Sequence, residues 1–400
     1  MFKTILSGFL MLIFIFGKPG LASDDVLEEI GADLERPKAV EKQKAEPYFS
    51  RSDQFLKNLF KAMARRDSYI IYKELYLSER YSSELEQMEG RNSLGFILFG
   101  TFSGQRGQIG DMNVQFRAAY YNNQFAYGSK MGREYTEGRN DFETELHNAY
   151  LRLRVLPPMV NVRLGHFYVP FGIQPWIDTH GTLLQSPAME FSGVDRDWGV
   201  GLEGQNELFE YQAAVTRGSG MEYFERDGNY ILSGKISTPR IGEHLNEWLG
   251  MSCLIGKVFD PMAVEKLRSV TMDEKESSFM GNVIKKWRMG LDGQKLYGPL
   301  RLRGEISVGR DADKENVLAE FAEIKYSLDR DNRWSGFAQF ENFTQNRGSP
   351  ENGSNTALRG GLTYGFSANY NLQFVVSRDL DTIFGEKDTW VGLLFYGQKG

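Results

Sequence analysis

Cysteine is almost absent from this chain of 400 residues, in which Cys253 stands alone. A single cysteine excludes an intramolecular disulfide and a metal cluster held by cysteines. The four histidines do not occur at a paired metal-binding spacing, and the sequence has neither a G-x-S-x-G motif nor a Walker-type phosphate loop. We therefore predict no catalytic, cofactor-binding or metal-binding residue, and no enzymatic activity.

Long apolar runs are also scarce. The run Ile5–Phe16 follows Lys3 and precedes small residues that end at Ala22. This order predicts a secretory signal peptide at residues 1–22. A membrane-spanning anchor is the alternative, but the run is shorter than the roughly 20 residues that a spanning helix needs. No later run is long enough for a transmembrane helix.

Glycine and aromatic residues, in contrast, are plentiful, with 43 Gly, 28 Phe, 19 Tyr and 6 Trp. The mean hydropathy is nevertheless −0.42. This combination fits a transmembrane β-barrel, because each strand exposes only every second residue to lipid and the average stays polar. It also fits a secreted all-β protein, so the periodicity of the sequence has to decide.

Residues 23–66 differ from the rest of the chain. They are charged, and Pro37 and Pro47 interrupt them. Within residues 52–66, apolar residues recur at helical spacing, which predicts one short amphipathic helix. We interpret the segment as a periplasmic N-terminal extension that could bind a periplasmic partner. A solvated linker is an equally good interpretation.

Short runs of alternating residues recur from about residue 95 to the C-terminus. In residues 149–155, for example, apolar residues at the odd positions alternate with Tyr150, Arg152 and Arg154. Successive side chains of a strand point to opposite faces, so each such run has one apolar and one polar side. The runs have about the 9–11 residues that a tilted strand needs to cross a bilayer.

The links between these runs alternate in length. Pro157-Pro158 and residues 329–332 are short, whereas residues 170–195 and 344–354 are long. Outer-membrane barrels combine short periplasmic turns with longer outside loops in this way. The alternation requires one further strand before residue 95, for which residues 68–77 are the candidate. We predict an all-β fold, a transmembrane antiparallel β-barrel of about 16 strands over residues 67–400, closed by the first strand against the last.

The segment Val162–Gly172, VRLGHFYVPFG, resembles the segment R-x-G-x-F/Y-x-x-P-F-G of the phosphate-selective porin O/P family of Gram-negative outer membranes. Asp197–Gly204 is similar to that family as well. The matching positions are Arg163, Gly165, Phe167, Pro170, Phe171 and Gly172. The resemblance implies a trimeric anion channel of about 16 strands, in which basic residues line the pore and a long loop folds inward to narrow it.

Basic residues of the alternating runs oppose aliphatic ones. If the aliphatic residues face lipid, these basic residues face the lumen, because a cation at the lipid midplane costs about 2–4 kcal/mol. Clustered cations in a narrow channel attract anions. A wall of charges that pair with glutamates is the alternative role. The predicted pore-lining residues are Arg117, Arg152, Arg154, Arg163, Lys235, Lys286, Arg288, Arg301, Arg303 and Arg359.

The long link 170–195 is apolar for a solvated outside loop, which predicts that it folds into the barrel as a constriction loop. An external lid or a contact between subunits is the alternative. The candidate constriction residues are Pro170, Phe171, Gly172, Trp176, Asp178 and His180. Aromatic residues near strand ends are expected in girdles at the membrane interface, namely Tyr120, Tyr121, Trp198, Trp248, Trp287, Trp334, Tyr364 and Trp390.

These features together predict an outer-membrane porin for passive diffusion of small solutes, with a preference for anions such as phosphate or other oxyanions. We expect outer-membrane lipid as the surroundings, a homotrimer as the assembly, and no nucleic-acid partner. The alternative is a barrel that sheathes a periplasmic cytochrome and lets electrons cross the outer membrane, although the chain itself has no C-x-x-C-H haem site.

Overall fold

A computed structural model describes most of the chain from Tyr69 to Lys399. The described residues are 69–83, 86–104, 107–124, 139–173, 175, 196–218, 229–240, 246–259, 283–311, 315–346, 353–367, 369–381 and 387–399. The predicted signal peptide 1–22 and extension 23–66 lie outside them. In the described ranges, no helix is long and apolar enough to cross a membrane.

Sixteen antiparallel strands form one closed barrel, in which each strand pairs with its neighbours in the sequence. The predicted fold class is confirmed. The strands are β1 Tyr69–Ser82, β2 Gln87–Gly104, β3 Gly107–Gln124, β4 Arg139–Leu156, β5 Val160–Tyr168, β6 Arg196–Gln205, β7 Glu210–Thr216, β8 Tyr230–Ser237, β9 Trp248–Phe259, β10 Val283–Tyr297, β11 Leu300–Asp311, β12 Glu315–Ser327, β13 Trp334–Asn346, β14 Gly353–Ser367, β15 Tyr370–Asp381 and β16 Thr389–Lys399.

The first and last strands close the barrel. β1 pairs with β16 from Lys73 opposite Lys399 to Ser82 opposite Trp390, and with β2 on its other side. The prediction that residues 68–77 form the closing strand is confirmed, and the strand extends further, to Ser82. Closure leaves no open edge, so every strand has two hydrogen-bonded neighbours.

The links fall at two rims, which we name by their lengths. The turn end carries the short links 105–106, 157–159, 298–299 and 368–369, together with the start of β1 and the end of β16. The loop end carries the long links 125–138, 169–195, 217–229 and 260–282. The predicted alternation holds around most of the barrel, although the short links 83–86 and 312–314 also lie at the loop end.

The barrel wall has an apolar outer face and a polar inner face. On β10, Trp287, Met289 and Leu291 are 40%, 52% and 53% exposed. Arg288 and Asp292, at the alternate positions of the same strand, are buried. The same alternation recurs on the other strands. An apolar outside and a polar inside are typical of a barrel whose solvent is lipid outside and water inside.

Aromatic residues occupy both faces. Trp334 and Tyr364 pack together on the outer face at the turn end, with ring centroids 4.6 Å apart. The girdle prediction is wrong for Trp248 and Trp390, which are 7% exposed and lie on the inner face. Trp248 directly precedes the outward residue Leu249, and Trp390 directly precedes the outward residue Val391. Because successive side chains of a strand point to opposite faces, both tryptophans lie on the inner face.

Candidate functional site: the inner wall of the barrel

All ten predicted pore-lining cations lie on the inner face, since in each strand they alternate with outward apolar residues. Arg117, Lys235, Lys286, Arg288 and Arg359 are buried. The five others, Arg152, Arg154, Arg163, Arg301 and Arg303, are partly exposed. Their placement agrees with the alternation, and their part in conduction stays a prediction. The partners of each side chain decide what it can do.

Three arginines near the turn end form the β4–β5 arginine group, which consists of Arg152, Arg154 and Arg163 with Asp111 and Glu203. Arg152 lies opposite Asp111 on β3 and opposite Arg163 on β5. Its Nε donates hydrogen bonds of 3.0 Å to both Asp111 carboxylate oxygens, and its Nη1 donates a 3.0 Å bond to Glu203. Arg163 also pairs with Glu203, and Arg154 lies 3.8 Å from Asp111.

A second group, the β11–β12 basic group, consists of Arg301, Arg303, Glu323 and Lys325. Arg301 and Arg303 donate to the two oxygens of Glu323, at 3.1 and 2.6 Å. Lys325 is the cross-strand neighbour of Arg301. Glu323 therefore binds two arginines and is the one carboxylate in a group of three cations, so the group carries a net positive charge.

The two groups lie on nearly opposite sides of the lumen. Six strands lie between β4 and β11 in a closed barrel of sixteen. Both groups lie close to the turn end, since Arg154 precedes the link 157–159 and Arg301 follows the link 298–299. Together they contain six cations and three carboxylates, an excess of three positive charges that face the lumen from opposite walls.

Two buried cations further from the turn end, Arg117 and Arg359, each pair with a buried glutamate. Arg117 lies 3.7 Å from Glu74, which also accepts hydrogen bonds from Gln115 at 3.1 Å and Tyr396 at 2.7 Å. This network connects β3, β1 and β16 across the line of closure. Arg359 pairs in the same way with Glu341 on the neighbouring strand. These pairs fit the alternative role of the cations, which is to stabilise the wall.

The start of the long link enters the barrel. In the segment Val169–Ile173, the Gly172 amide donates to Ser252 Oγ at 3.0 Å and the Ile173 amide donates to Glu305 at 2.8 Å. Phe171 and Ile173 are 1% and 0% exposed. Ser252 lies on β9 and Glu305 on β11, whereas the segment leaves β5. The segment therefore extends from β5 to a different sector of the inner wall.

A buried ion pair anchors this segment. Lys235 on β8 donates to the Gly172 carbonyl oxygen and pairs with Asp292 on β10, and Trp248 Nε1 donates to Asp292 at 2.8 Å. The strand between them carries Gly250, where a Cβ would lie 3.1 Å from both Lys235 and Asp292. The absence of a side chain there gives the two charges room to meet across β9.

Two glycines of the segment resembling the porin family have positive φ. Gly165 has φ 126°, and a Cβ there would overlap the Ala149 carbonyl oxygen. Gly172 has φ 59°, and a Cβ there would overlap the Glu305 carboxylate. A residue with a side chain is strained in both conformations. Gly172 thus gives Glu305 room to accept the Ile173 amide.

Three candidate constriction residues have a described position. Pro170, Phe171 and Gly172 are buried against the inner wall. Trp176, Asp178 and His180 lie outside the described residues, so the course of the loop beyond residue 175 stays a prediction. Among the residues that the structure describes, no group of three or more His, Cys, Asp or Glu is placed to hold a metal ion.

Comparison with known proteins identifies a fold but no family. A scan against protein-family models found no match, and a search of curated proteins found none either. Solved structures do match. OprB of Pseudomonas putida has a TM-score of 0.57 at 10% identity, and the match covers 91% of this chain and 100% of that one. The chain has the fold of an outer-membrane porin.

Two further structures support the same fold. The anion-selective porin from Comamonas acidovorans has a TM-score of 0.54 at 9% identity, over 83% of this chain and 99% of that one. OmpF of Salmonella typhi has a TM-score of 0.57 at 10% identity, over 83% of this chain and 97% of that one. At such low identity the matches establish only the porin-type barrel fold. The resemblance to the phosphate-selective family stays a prediction.

Some inner-wall residues of the barrel were not predicted. Asp292, Glu341 and Glu74 were missed as partners of Lys235, Arg359 and Arg117. Trp248 was placed on the wrong face. The alternation in β10 does place Asp292 on the same side as Arg288, which is a usable signal for an inward carboxylate. The pairing of Asp292 with Lys235 had no sequence signal, because the two lie on strands that are not neighbours.

Proposed function

We propose that the protein is an outer-membrane porin, a water-filled channel for passive diffusion of small solutes with a preference for anions such as phosphate or other oxyanions. The observation that carries the proposal is the excess of positive charge in the β4–β5 arginine group and the β11–β12 basic group. The two groups face each other across the lumen near one rim. The function is transport, and the proposal includes no enzymatic step.

Electrostatics explains why this arrangement favours anions. A wall of low dielectric focuses the field of its charges into the water of the pore and raises the local concentration of ions of opposite sign. Carboxylates of the same groups hold the guanidinium groups in place but neutralise only part of their charge. The pairs higher up, such as Arg359 with Glu341, are balanced and contribute little net field.

Swelling of liposomes tests the proposal on the whole protein. Vesicles that contain the purified barrel should swell rapidly in phosphate and slowly in an organic cation of similar size. Equal rates for the anion and the cation would reject the anion preference but keep the porin. The absence of any uptake would reject the porin and favour the barrel that sheathes a cytochrome.

The loop end is proposed to face outward and the turn end to face the periplasm, because short turns are typical of the periplasmic side and the predicted signal peptide at residues 1–22 would deliver the chain to the periplasm. The long link 170–195 is proposed to narrow the pore, as a constriction loop. The anchored segment Val169–Ile173 supports this role, because it enters the lumen and is held there by Lys235, Ser252 and Glu305.

A homotrimer is proposed from a polar row on the outer face. Asn342 donates a 2.8 Å hydrogen bond to Glu320 and accepts a 3.0 Å bond from Thr356, across β12, β13 and β14. Glu320 lies six residues above the exposed Tyr326, which corresponds to about 15 Å in a tilted strand, inside an apolar band about 25 Å tall. A carboxylate at that depth favours contact with a second copy over contact with lipid. OmpT of Vibrio cholerae, a structural match, has been solved in a trimer form.

A bulky residue beside this row tests the interface. Ala338 is exposed on the outer face of β13, opposite Gly360. Ala338→Trp should reduce the trimer to monomers in native mass spectrometry. Met289→Trp, on the outward face of β10, is the matched control and should keep the trimer. A trimer that survives Ala338→Trp would place the interface elsewhere, and a monomeric wild type would reject it.

A further inference from the structure

Three cations lie on the outer face of the barrel at the loop end. Lys257, Lys285 and Arg310 belong to the consecutive strands β9, β10 and β11, each within two residues of the strand terminus. Each shares its face with an outward apolar residue two positions along the strand. The apolar residues are Ile255, Trp287 and Val308, which are 57%, 40% and 48% exposed.

The register brings these cations close together. Lys257 and Lys285 are direct cross-strand partners, so their side chains leave the wall side by side. Arg310 is the partner of Trp287, two residues from Lys285, which is the diagonal position. Direct cross-strand neighbours have Cβ atoms about 5 Å apart, and diagonal neighbours are about 7–8 Å apart.

Like charges that face each other across two strands destabilise a sheet. Within the described part of the chain, neither lysine makes an ion pair with a carboxylate. Arg310 donates a 3.4 Å hydrogen bond to the neutral side chain of Asn316. The positive charge of the cluster is therefore not neutralised there by a protein carboxylate, and an anion from outside the chain would relieve the repulsion.

The position of the cluster indicates the source of that anion. Below it, Ile255, Trp287, Met289 and Val308 form a continuous apolar surface on the outer side of the wall. In a bilayer this surface contacts acyl chains, so cations directly above it lie at the depth of the lipid headgroups. Tyr230, 43% exposed and opposite Lys257, adds an aromatic residue at the same level.

We propose that Lys257, Lys285 and Arg310 bind the phosphate groups of a phosphorylated lipid headgroup in the leaflet at the loop end. Basic side chains at a membrane surface attract anionic headgroups. Arginine and lysine both bind phosphate oxygens through charge-assisted hydrogen bonds. Trp287 and Tyr230 pack beside the upper part of the lipid. This site rests on the barrel spanning a membrane and not on which ions the pore prefers.

Native mass spectrometry of the purified full chain with lipid A that carries two phosphates tests the site. The wild type should retain the lipid. Lys257→Gln/Lys285→Gln/Arg310→Gln should bind it about a hundred-fold more weakly, since each basic side chain near an anionic surface contributes about five-fold. Lys285→Gln alone should lose about five-fold, which provides a milder variant if the triple one folds poorly.

Three controls distinguish the explanations. Lys295→Gln changes an exposed cation at the turn end and should retain lipid A like the wild type. Lipid A without phosphates should bind the wild type as weakly as lipid A binds the triple variant. Equal retention of the phosphorylated and dephosphorylated lipids, or displacement of the lipid by inorganic phosphate alone, would overturn the proposal. Single-channel conductance of the triple variant should be unchanged, so failure here is distinct from failure of the porin function.

Discussion

Arg152 and Arg163 lie directly opposite each other on β4 and β5, and both bind the carboxylate of Glu203 on β6. Two cations at this spacing repel, and Glu203 offsets the repulsion together with Asp111 on the other side of Arg152. The arginines that first suggested an anion path are therefore part of a paired wall. The group retains net positive charge because it has three arginines and two carboxylates.

Glu203→Gln tests the role of this shared carboxylate. Removal of the negative charge leaves the facing arginines uncompensated on that side, so the anion preference should rise and the barrel should become less stable to urea. The measurement is the reversal potential across a planar bilayer with a salt gradient. Glu210→Gln is the control for loss of an inward carboxylate elsewhere, because Glu210 lies on β7 and pairs with Arg240. An unchanged reversal potential in Glu203→Gln would show that this group does not contribute to selectivity.

Removal of positive charge from the β11–β12 basic group should lower the anion preference, which is opposite to the effect expected for Glu203→Gln. A unit charge about 4 Å from an ion contributes about 1 kcal/mol in water, which corresponds to about a five-fold change in a permeability ratio. Arg301→Gln/Arg303→Gln should lower the chloride-to-potassium permeability ratio by about that factor for each charge near the ion path. Lys295→Gln, an exposed cation paired with Glu247 at the same rim, should leave the ratio unchanged. Equal permeability ratios in the double variant and the wild type would show that this group does not contribute to ion selectivity.

Gly172→Ala should release the segment Val169–Ile173 from the wall. An added Cβ would overlap the Glu305 carboxylate and would also be strained at φ 59°. If this segment holds the constriction in place, single-channel conductance should rise. Gly298→Ala is the matched control, because Gly298 has φ 57° with nothing within 4 Å of the added atom. A conductance that stays the same in both variants would separate the segment from the constriction.

The ion pair of Lys235 and Asp292 predicts an unequal cost of single and double substitutions. Lys235→Met leaves a buried carboxylate without its cation, and such a loss costs about 3–5 kcal/mol. Lys235→Met/Asp292→Leu removes both charges and should recover most of that stability. The measurement is the urea midpoint of the barrel in detergent micelles. A double variant no more stable than the single one would mean that the pair does not act as a unit.

The sequence predicted the barrel well because strand alternation is a local property. The runs of alternating residues located the strands, and the lengths of the links identified residues 68–77 as the strand that closes on β16. Trp248 was misplaced because aromatic residues suit an interface as well as an inner wall. Its neighbour Leu249, at 66% exposed, takes the outward position.

The pairings of the inner wall were harder to predict than its polarity. Pairing of the cations with glutamates was one expected role, but the place of Glu203 between Arg152 and Arg163 depends on the register of three strands. Lys235 meets Asp292 across an intervening strand, through the space left by Gly250. Strand register depends on turn geometry as well as on the hydrophobic pattern, and the reach of a long side chain leaves no trace in local periodicity, so such contacts become visible only in the folded barrel.

We infer that the barrel is an open channel that prefers anions. The reversal potential of the wild-type protein in a planar bilayer, with potassium chloride at unequal concentrations on the two sides, tests it most directly. We expect a stable open conductance whose reversal potential has the sign of chloride permeability greater than potassium permeability. A reversal potential of the opposite sign, or a barrel that conducts no ions, would contradict it.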